Sequence, residues 1–176
     1  MAVSRDLQGA IDLAARILDE MGVQEPPVPD SFIYYIDPAR TVRVVLEPLR
    51  RGTRGATMLS PDGAEWWVVL NANDRYPARR FTLAHEAFHI ACGTGLAFRR
   101  DGFGEFYECS LADHFASRLL VPDAWVLAVG PPTAHSISRS CLVSQYAAAL
   151  ALRGRMLPTL APAETPNLSK SVSPSH

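Results

Sequence analysis

The fold is decided around residues 80–90, which read RFTLAHEAFHI. The run is strongly apolar apart from Arg80 and the trio of His85, Glu86 and His89. We therefore predict a helix over residues 78–91, ending near the glycine that follows, because glycine often succeeds the last helical residue. Two residues four apart lie on one face of a helix, so the two imidazoles can reach a single ion.

The H-E-x-x-H spacing predicts a metal site with a catalytic carboxylate. Zinc suits two imidazole ligands in a tetrahedral site that keeps one position open, where it makes water nucleophilic near neutral pH. Glu86 follows the first histidine directly, so its carboxylate lies near the metal without binding it. We predict that His85 and His89 are zinc ligands and that Glu86 accepts a proton from zinc-bound water.

Between the amino terminus and the motif, the pattern predicts a helix followed by a small sheet. Residues 4–22 carry apolar side chains at helical spacing. Residues 31–36 fit either a helix or a strand, and the β-branched residues 41–46 favour a strand. Residues 55–71 are typical of a hairpin whose turn lies at residues 60–63.

Toward the carboxyl terminus the pattern is helical and then changes in composition. We predict helices over residues 107–120, 122–129 and 142–155. Residues 157–176 are rich in Pro, Ser and Thr, which predicts a disordered tail after a single domain of residues 1–156. The expected fold class is α+β, with a small twisted sheet packed on the motif helix and a helical carboxyl-terminal part.

A catalytic zinc usually takes a third protein ligand, and the next helix offers candidate donors. Residues 108–122 read ECSLADHFASRLLVP, with several donors in the first turns. Together, RFTLAHEAFH and ADHFASRLLVP resemble the motifs of the ImmA/IrrE family of metallopeptidases. The sequence VVLN at residues 68–71 resembles the strand before the metal helix in that family, and the resemblance spans roughly residues 5–155.

The resemblance implies a zincin-like fold in which His85 and His89 bind zinc and Glu86 is the general base. Many family members cleave a helix-turn-helix repressor and so switch on prophage, mobile-element or stress genes. The resemblance therefore implies a protein substrate, with any effect on transcription passing through that partner. In this family an extended peptide can add to the edge of the sheet.

The third ligand is where this sequence departs from the family pattern. The family usually has glutamate where this chain has Cys109, and Glu108 comes one residue earlier. One residue rotates a side chain by about 100° around a helix, so only one of the two can face the metal directly. We favour Cys109 by register, with Glu108 as the alternative and Glu105 or Asp101 as the remaining candidates. Asp113 shares a face with Cys109, where it could hold a ligand histidine by a hydrogen bond.

The composition of the chain bears on its binding partners and on its location in the cell. The net charge of −1 gives no basic field for nucleic acid, so we predict no direct nucleic-acid binding. The arginines at positions 50, 51 and 54 are interpreted as a solvated loop, whereas Arg79-Arg80 and Arg99-Arg100 could rim the cleft and contact an acidic or carboxyl-terminal segment of a substrate. The three cysteines, the lack of a visible signal peptide and the lack of an apolar run long enough for a membrane favour a cytoplasmic protein.

Two functional hypotheses follow. The first is a zinc-dependent metalloendopeptidase that cuts a partner protein, a helix-turn-helix repressor by the resemblance. The alternative is a catalytically degenerate metal-site protein that acts as an interaction module or antirepressor. The displaced glutamate would then mark a site that has lost its activity. Peptide deformylase also combines H-E-x-x-H with a cysteine ligand, but its cysteine precedes the helix, and Cys109 follows it.

Overall fold

A computed structural model describes residues 6–94, 103–128 and 132–153, with the backbone alone for residues 103–108 and 127–128. The elements confirm the predicted α+β class. In chain order they are α1 (Leu7–Met21), a short 3-10 helix (Asp30–Tyr35), β1 (Thr41–Glu47), β2 (Gly55–Leu59), β3 (Glu65–Asn71), α2 (Tyr76–Cys92), α3 (Phe103–Leu120), α4 (Asp123–Ala128), α5 (Ala134–Cys141) and α6 (Gln145–Arg153).

Helix α1 begins and ends where its sequence provides caps. Asp6 accepts a hydrogen bond from the backbone nitrogen of Gly9 at 2.7 Å, which satisfies one of the unpaired amides of the first turn. Gly22 takes a left-handed conformation with φ of 63° and ends the helix. The buried side chains at positions 10, 13, 14 and 17 form one stripe, and α1 packs against α3.

The sheet has three strands in the order β1-β3-β2. β1 runs parallel to β3, and β2 pairs with β3 as the predicted antiparallel hairpin. Alternation along β3 buries Trp66, whereas Trp67 on the opposite face is 41% exposed. Within the described part of the chain, β2 has one neighbouring strand, so it forms an edge of the sheet beside α2.

The carboxyl-terminal helices differ from the prediction in their boundaries. α3 starts at Phe103, four residues earlier than expected, and α5 was not predicted. Leu142 has a left-handed φ of 51°, which ends α5 and delays the last helix to Gln145. The predicted domain boundary at residue 156 and the predicted tail lie outside the described residues.

The core lies between the sheet and helices α1, α2 and α3. Its largest fully buried apolar side chains include Phe32, Val68, Phe88, Phe115 and Leu119. The rings of Phe88 and Phe115 lie 5.6 Å apart between centroids and hold α2 against α3. No described helix combines the length and the hydrophobicity needed to span a bilayer.

Candidate metal centre

Helix α2 forms the floor of a cleft with one face and contributes to the core with another. Pro77 stands in the first turn, where its missing amide costs nothing, and Gly93 ends the helix in a left-handed conformation. Leu83, Ala84 and Phe88 face the core. His85 and His89, half-buried, line the cleft on a different side.

The two histidines are arranged as two ligands of one ion would be. Their Nε2 atoms lie 3.2 Å apart, and their rings are tilted by 58° with centroids 5.1 Å apart. Two nitrogens bonded to one tetrahedral zinc at roughly 2.0–2.1 Å would lie about 3.3 Å apart. The two Nε2 atoms therefore lie at the spacing of two ligands of one zinc ion, and their role as ligands stays a prediction.

Cys109 is the third donor that the structure brings to this point. One ligand atom from each of His85, His89 and Cys109 lies within 4.8 Å of the others. Two imidazoles and a thiolate form a donor set that suits zinc, so these residues fit the implied metal. The side chains of the alternative ligands Glu108 and Glu105, and all of Asp101, lie outside the described residues. The role of Cys109 as a ligand remains a prediction.

Asp113 contacts the first histidine as the sequence suggested. His85 Nδ1 lies 2.8 Å from Asp113 Oδ1. A hydrogen bond donated by Nδ1 to the carboxylate would leave Nε2 unprotonated and facing the metal position. On the second histidine, His89 Nδ1 has a longer contact of 3.4 Å with Thr94 Oγ1.

Glu86 lies in a nearly closed environment, with 8% of its surface exposed. Thr57 Oγ1, from β2, donates a hydrogen bond of 2.7 Å to Glu86 Oε2. Burial raises the pKa of the Glu86 carboxyl, and the Thr57 hydrogen bond and the His85 charge oppose that rise only in part. Sequence reasoning missed Thr57, since no local pattern links it to a residue 29 positions away.

These side chains open into a cleft of about 690 Å³ between β2, α2, α3 and α6. His114, the neighbour of Asp113 on α3, is not one of its lining residues. The described lining residues are Gly52, Thr53, Arg54, Gly55, Ala56, Thr57, Ala78, Phe81, Thr82, His85, Glu86, His89, Thr94, Cys109, Asp113, Ser144 and Tyr146.

The expectation that Arg80 rims the cleft was wrong. Its side chain is 1% exposed and lies inside the protein. Arg80 Nε pairs with Asp30 Oδ1 at 2.8 Å, and its Nη atoms donate to the carbonyls of Val28, Cys141 and Leu142. A guanidinium has five donors and can satisfy several buried carbonyls at once, which explains its burial. Arg99 and Arg100 lie outside the described residues.

Comparison with known proteins agrees with the motif assignment. The family model Peptidase_M78, described as the IrrE N-terminal-like domain, matches residues 41–150. Among solved structures, the chain is similar to a Mycobacterium tuberculosis transcriptional regulator, with a TM-score of 0.53 and 16% sequence identity. The match covers 79% of this chain and 45% of that regulator's chain, and at this identity it concerns the fold alone. No curated protein matches the chain.

Proposed function

The chain belongs to peptidase family M78, the IrrE N-terminal-like domains, and we propose that it is a zinc-dependent metalloendopeptidase that cuts a partner protein. The observation that carries the proposal is the convergence of His85, His89 and Cys109 beside a buried carboxylate, Glu86. By resemblance to the ImmA/IrrE family, the partner is a helix-turn-helix repressor.

The division of labour follows from the chemistry of the side chains. His85, His89 and Cys109 would hold a zinc ion, which would supply a Lewis acid able to polarise the scissile carbonyl and to acidify the attacking water. Thr57 occupies Glu86 Oε2, so Oε1 is available to accept the proton of that water. In the next step, the same carboxyl would give its proton to the departing amine.

Asp113 and Thr57 act as positioning residues in this scheme. Asp113 holds the His85 ring and its tautomer, and Thr57 fixes the Glu86 carboxylate against β2. Because β2 is an edge strand beside the cleft, an extended segment of the substrate can pair with it and lie across the metal position.

The test is cleavage of a co-encoded helix-turn-helix protein by the purified, zinc-loaded chain, followed by gel electrophoresis and mass spectrometry. Glu86→Gln should lower cleavage by about 10²–10⁴-fold while zinc content stays unchanged, since the carboxylate does not bind the ion. Glu25→Gln, the same change at an exposed glutamate, is the matched control.

Two results would contradict the proposal. Cleavage that survives Glu86→Gln would remove the role assigned to that carboxylate. A folded chain that lacks metal and still binds its partner would instead favour the interaction module or antirepressor.

A further inference from the structure

One end of the cleft is built from two segments joined through a buried asparagine. Asn71 accepts a hydrogen bond from the Leu49 amide at 3.3 Å and donates one from its side chain to the Thr53 carbonyl at 2.8 Å. Its backbone nitrogen donates to the Arg54 carbonyl at 2.8 Å. The loop between β1 and β2 is therefore held against the junction of β3 and α2.

These two segments concentrate positive charge in a chain whose net charge is −1. Four of their arginines are exposed and one is half-buried, and within the described residues none of them forms an ion pair. The carboxylates nearest in sequence, Glu47 and Asp74, form no ion pair with them either. We name this set the basic end: Arg50, Arg51, Arg54, Arg75 and Arg79, of which Arg54 is the one that lines the cleft.

The distance of the basic end from the reaction site follows from how β2 lies along α2. Gly55 approaches Thr82 so closely that an added Cβ would lie 2.6 Å from its Cγ2, and Thr57 reaches Glu86. From Gly55 to Thr57, β2 advances by two residues, or about 6.6 Å, and from Thr82 to Glu86, α2 advances by four residues, or about 6 Å. Because the two distances agree, β2 and α2 run side by side in the same direction. Arg54 precedes Thr57 by three residues, or about 10 Å along an extended chain.

Between these two points the described residues of the cleft wall are uncharged. Ala78, Phe81 and Thr82 line it from α2, and Ser144 and Tyr146 line it from the carboxyl-terminal helical part. Apart from His85, Glu86, His89, Cys109 and Asp113 at the candidate metal centre, Arg54 is the one side chain in the described lining that is charged near neutral pH. A substrate that extends along the described part of this wall therefore meets a single charge, which is positive.

We propose that the basic end selects an acidic substrate segment, with Arg54 binding an Asp or Glu side chain about three residues from the scissile bond. The guanidinium fork matches a carboxylate with two parallel hydrogen bonds, and the neighbouring arginines attract further acidic residues. This inference rests on the proposed peptidase function and adds the class of substrate. Phosphates of nucleic acid are the competing ligand, but the basic end has no interleaved aromatic residues of the kind that stack on bases.

The first test uses cleavage of randomised twelve-residue peptides by the zinc-loaded chain, with cut positions read by mass spectrometry. We expect Asp and Glu to be favoured on the order of tenfold at two to four residues on one side of the cut. Arg54→Gln should bring the ratio of acidic to neutral residues at these positions close to one, and Arg54→Lys should keep part of the acidic preference. Arg16→Gln, a change on the surface of α1, should give the same preference as the unchanged chain. Cleavage with no acidic preference would overturn the inference and leave the peptidase function intact.

The second test does not depend on catalysis. Zinc-loaded Glu86→Gln protein is used to capture peptides from a displayed random library, and the acidic enrichment should disappear when Arg54→Gln is added. Equal enrichment in both proteins, or none in either, would show that Arg54 does not select carboxylates. Binding of a 20-base-pair DNA duplex that is lost with Arg54→Gln would assign the basic end to nucleic acid and also overturn the inference.

Discussion

Cys109 brings a sulfur donor to the position where the ImmA/IrrE resemblance implies a carboxylate. A thiolate is softer than a carboxylate oxygen, bonds zinc at about 2.3 Å and transfers more charge to the ion. Such a site should favour zinc or cobalt over magnesium or calcium, which prefer oxygen. In the proposed peptidase, a thiolate ligand would make the metal less electrophilic, so the proton transfers at Glu86 would become more important to the rate.

Replacing Cys109 tests the donor set directly. Cys109→Ser should weaken zinc binding by more than the roughly 10–100-fold that follows loss of an outer hydrogen-bond partner. Cobalt bound to the unchanged chain should give a thiolate-to-metal charge-transfer band in the near ultraviolet, and that band should vanish with the substitution. Cys92→Ser, on α2 but outside the cleft lining, is the matched control. Loss of metal with Glu108→Gln and not with Cys109→Ser would identify the alternative ligand.

The residues of the site differ in how far the sequence alone could predict them. His85, Glu86 and His89 follow from the geometry of one helix, which is local and needs no tertiary information. The Asp113 contact could be anticipated because it shares a helical face with Cys109. Thr57 could not, since its hydrogen bond to Glu86 exists only after β2 is packed beside α2.

At the scale of elements, α2 carries both the candidate ligands and the side chain that anchors it. Arg80 lies five residues before His85 and ties α2 to two other segments, one containing Val28 and Asp30 and the other containing Cys141. The position of the ligands along the cleft therefore depends on a buried polar network around α2. The apolar core alone would fix the helix less specifically, because apolar contacts have little directionality.

Substitution of Arg80 should destabilise the fold. Arg80→Met should lower the free energy of unfolding by about 3 kcal/mol, because the buried carbonyls of Val28 and Cys141 lose their donors. Arg80→Lys should cost about 1–2 kcal/mol, since one ammonium cannot span the separate acceptors of a guanidinium fork. Urea unfolding measures both, with Arg79→Met as the neighbouring control. A loss for Arg80→Met no larger than for Arg79→Met would refute the anchoring role.

Elements with a strong hydrophobic period were predicted well, and those without one were not. The motif helix and the β2-β3 hairpin appear where apolar periodicity and turn residues placed them. Helix α5 reads AHSISRSC, whose short polar pattern leaves only Ile137 and Cys141 buried. Its one clear signal was the capping box between Thr133 and Ser136, which sequence reasoning overlooked.

In the molecule as a whole, the candidate metal centre spans two helices that are also joined through the core. His85 and His89 come from α2 and Cys109 comes from α3, and the two helices pack through Phe88 and Phe115. α1 also packs against α3. A bound ion would add a cross-link between these two helices. The single-domain boundary at residue 156 remains a prediction from composition.

Metal removal should therefore lower the stability of the whole domain. A ligand present at about 100 times its Kd stabilises the folded state by about 2.7 kcal/mol, which for a domain of this size is a Tm difference of roughly 5–10 °C. We expect chelation to lower the Tm of the zinc-loaded chain by that amount in differential scanning calorimetry. Glu86→Gln should show the same decrease, because the variant keeps all three candidate ligands. His85→Ala should show almost none, and an equal decrease in His85→Ala would mean that the stabilising metal binds elsewhere in the chain.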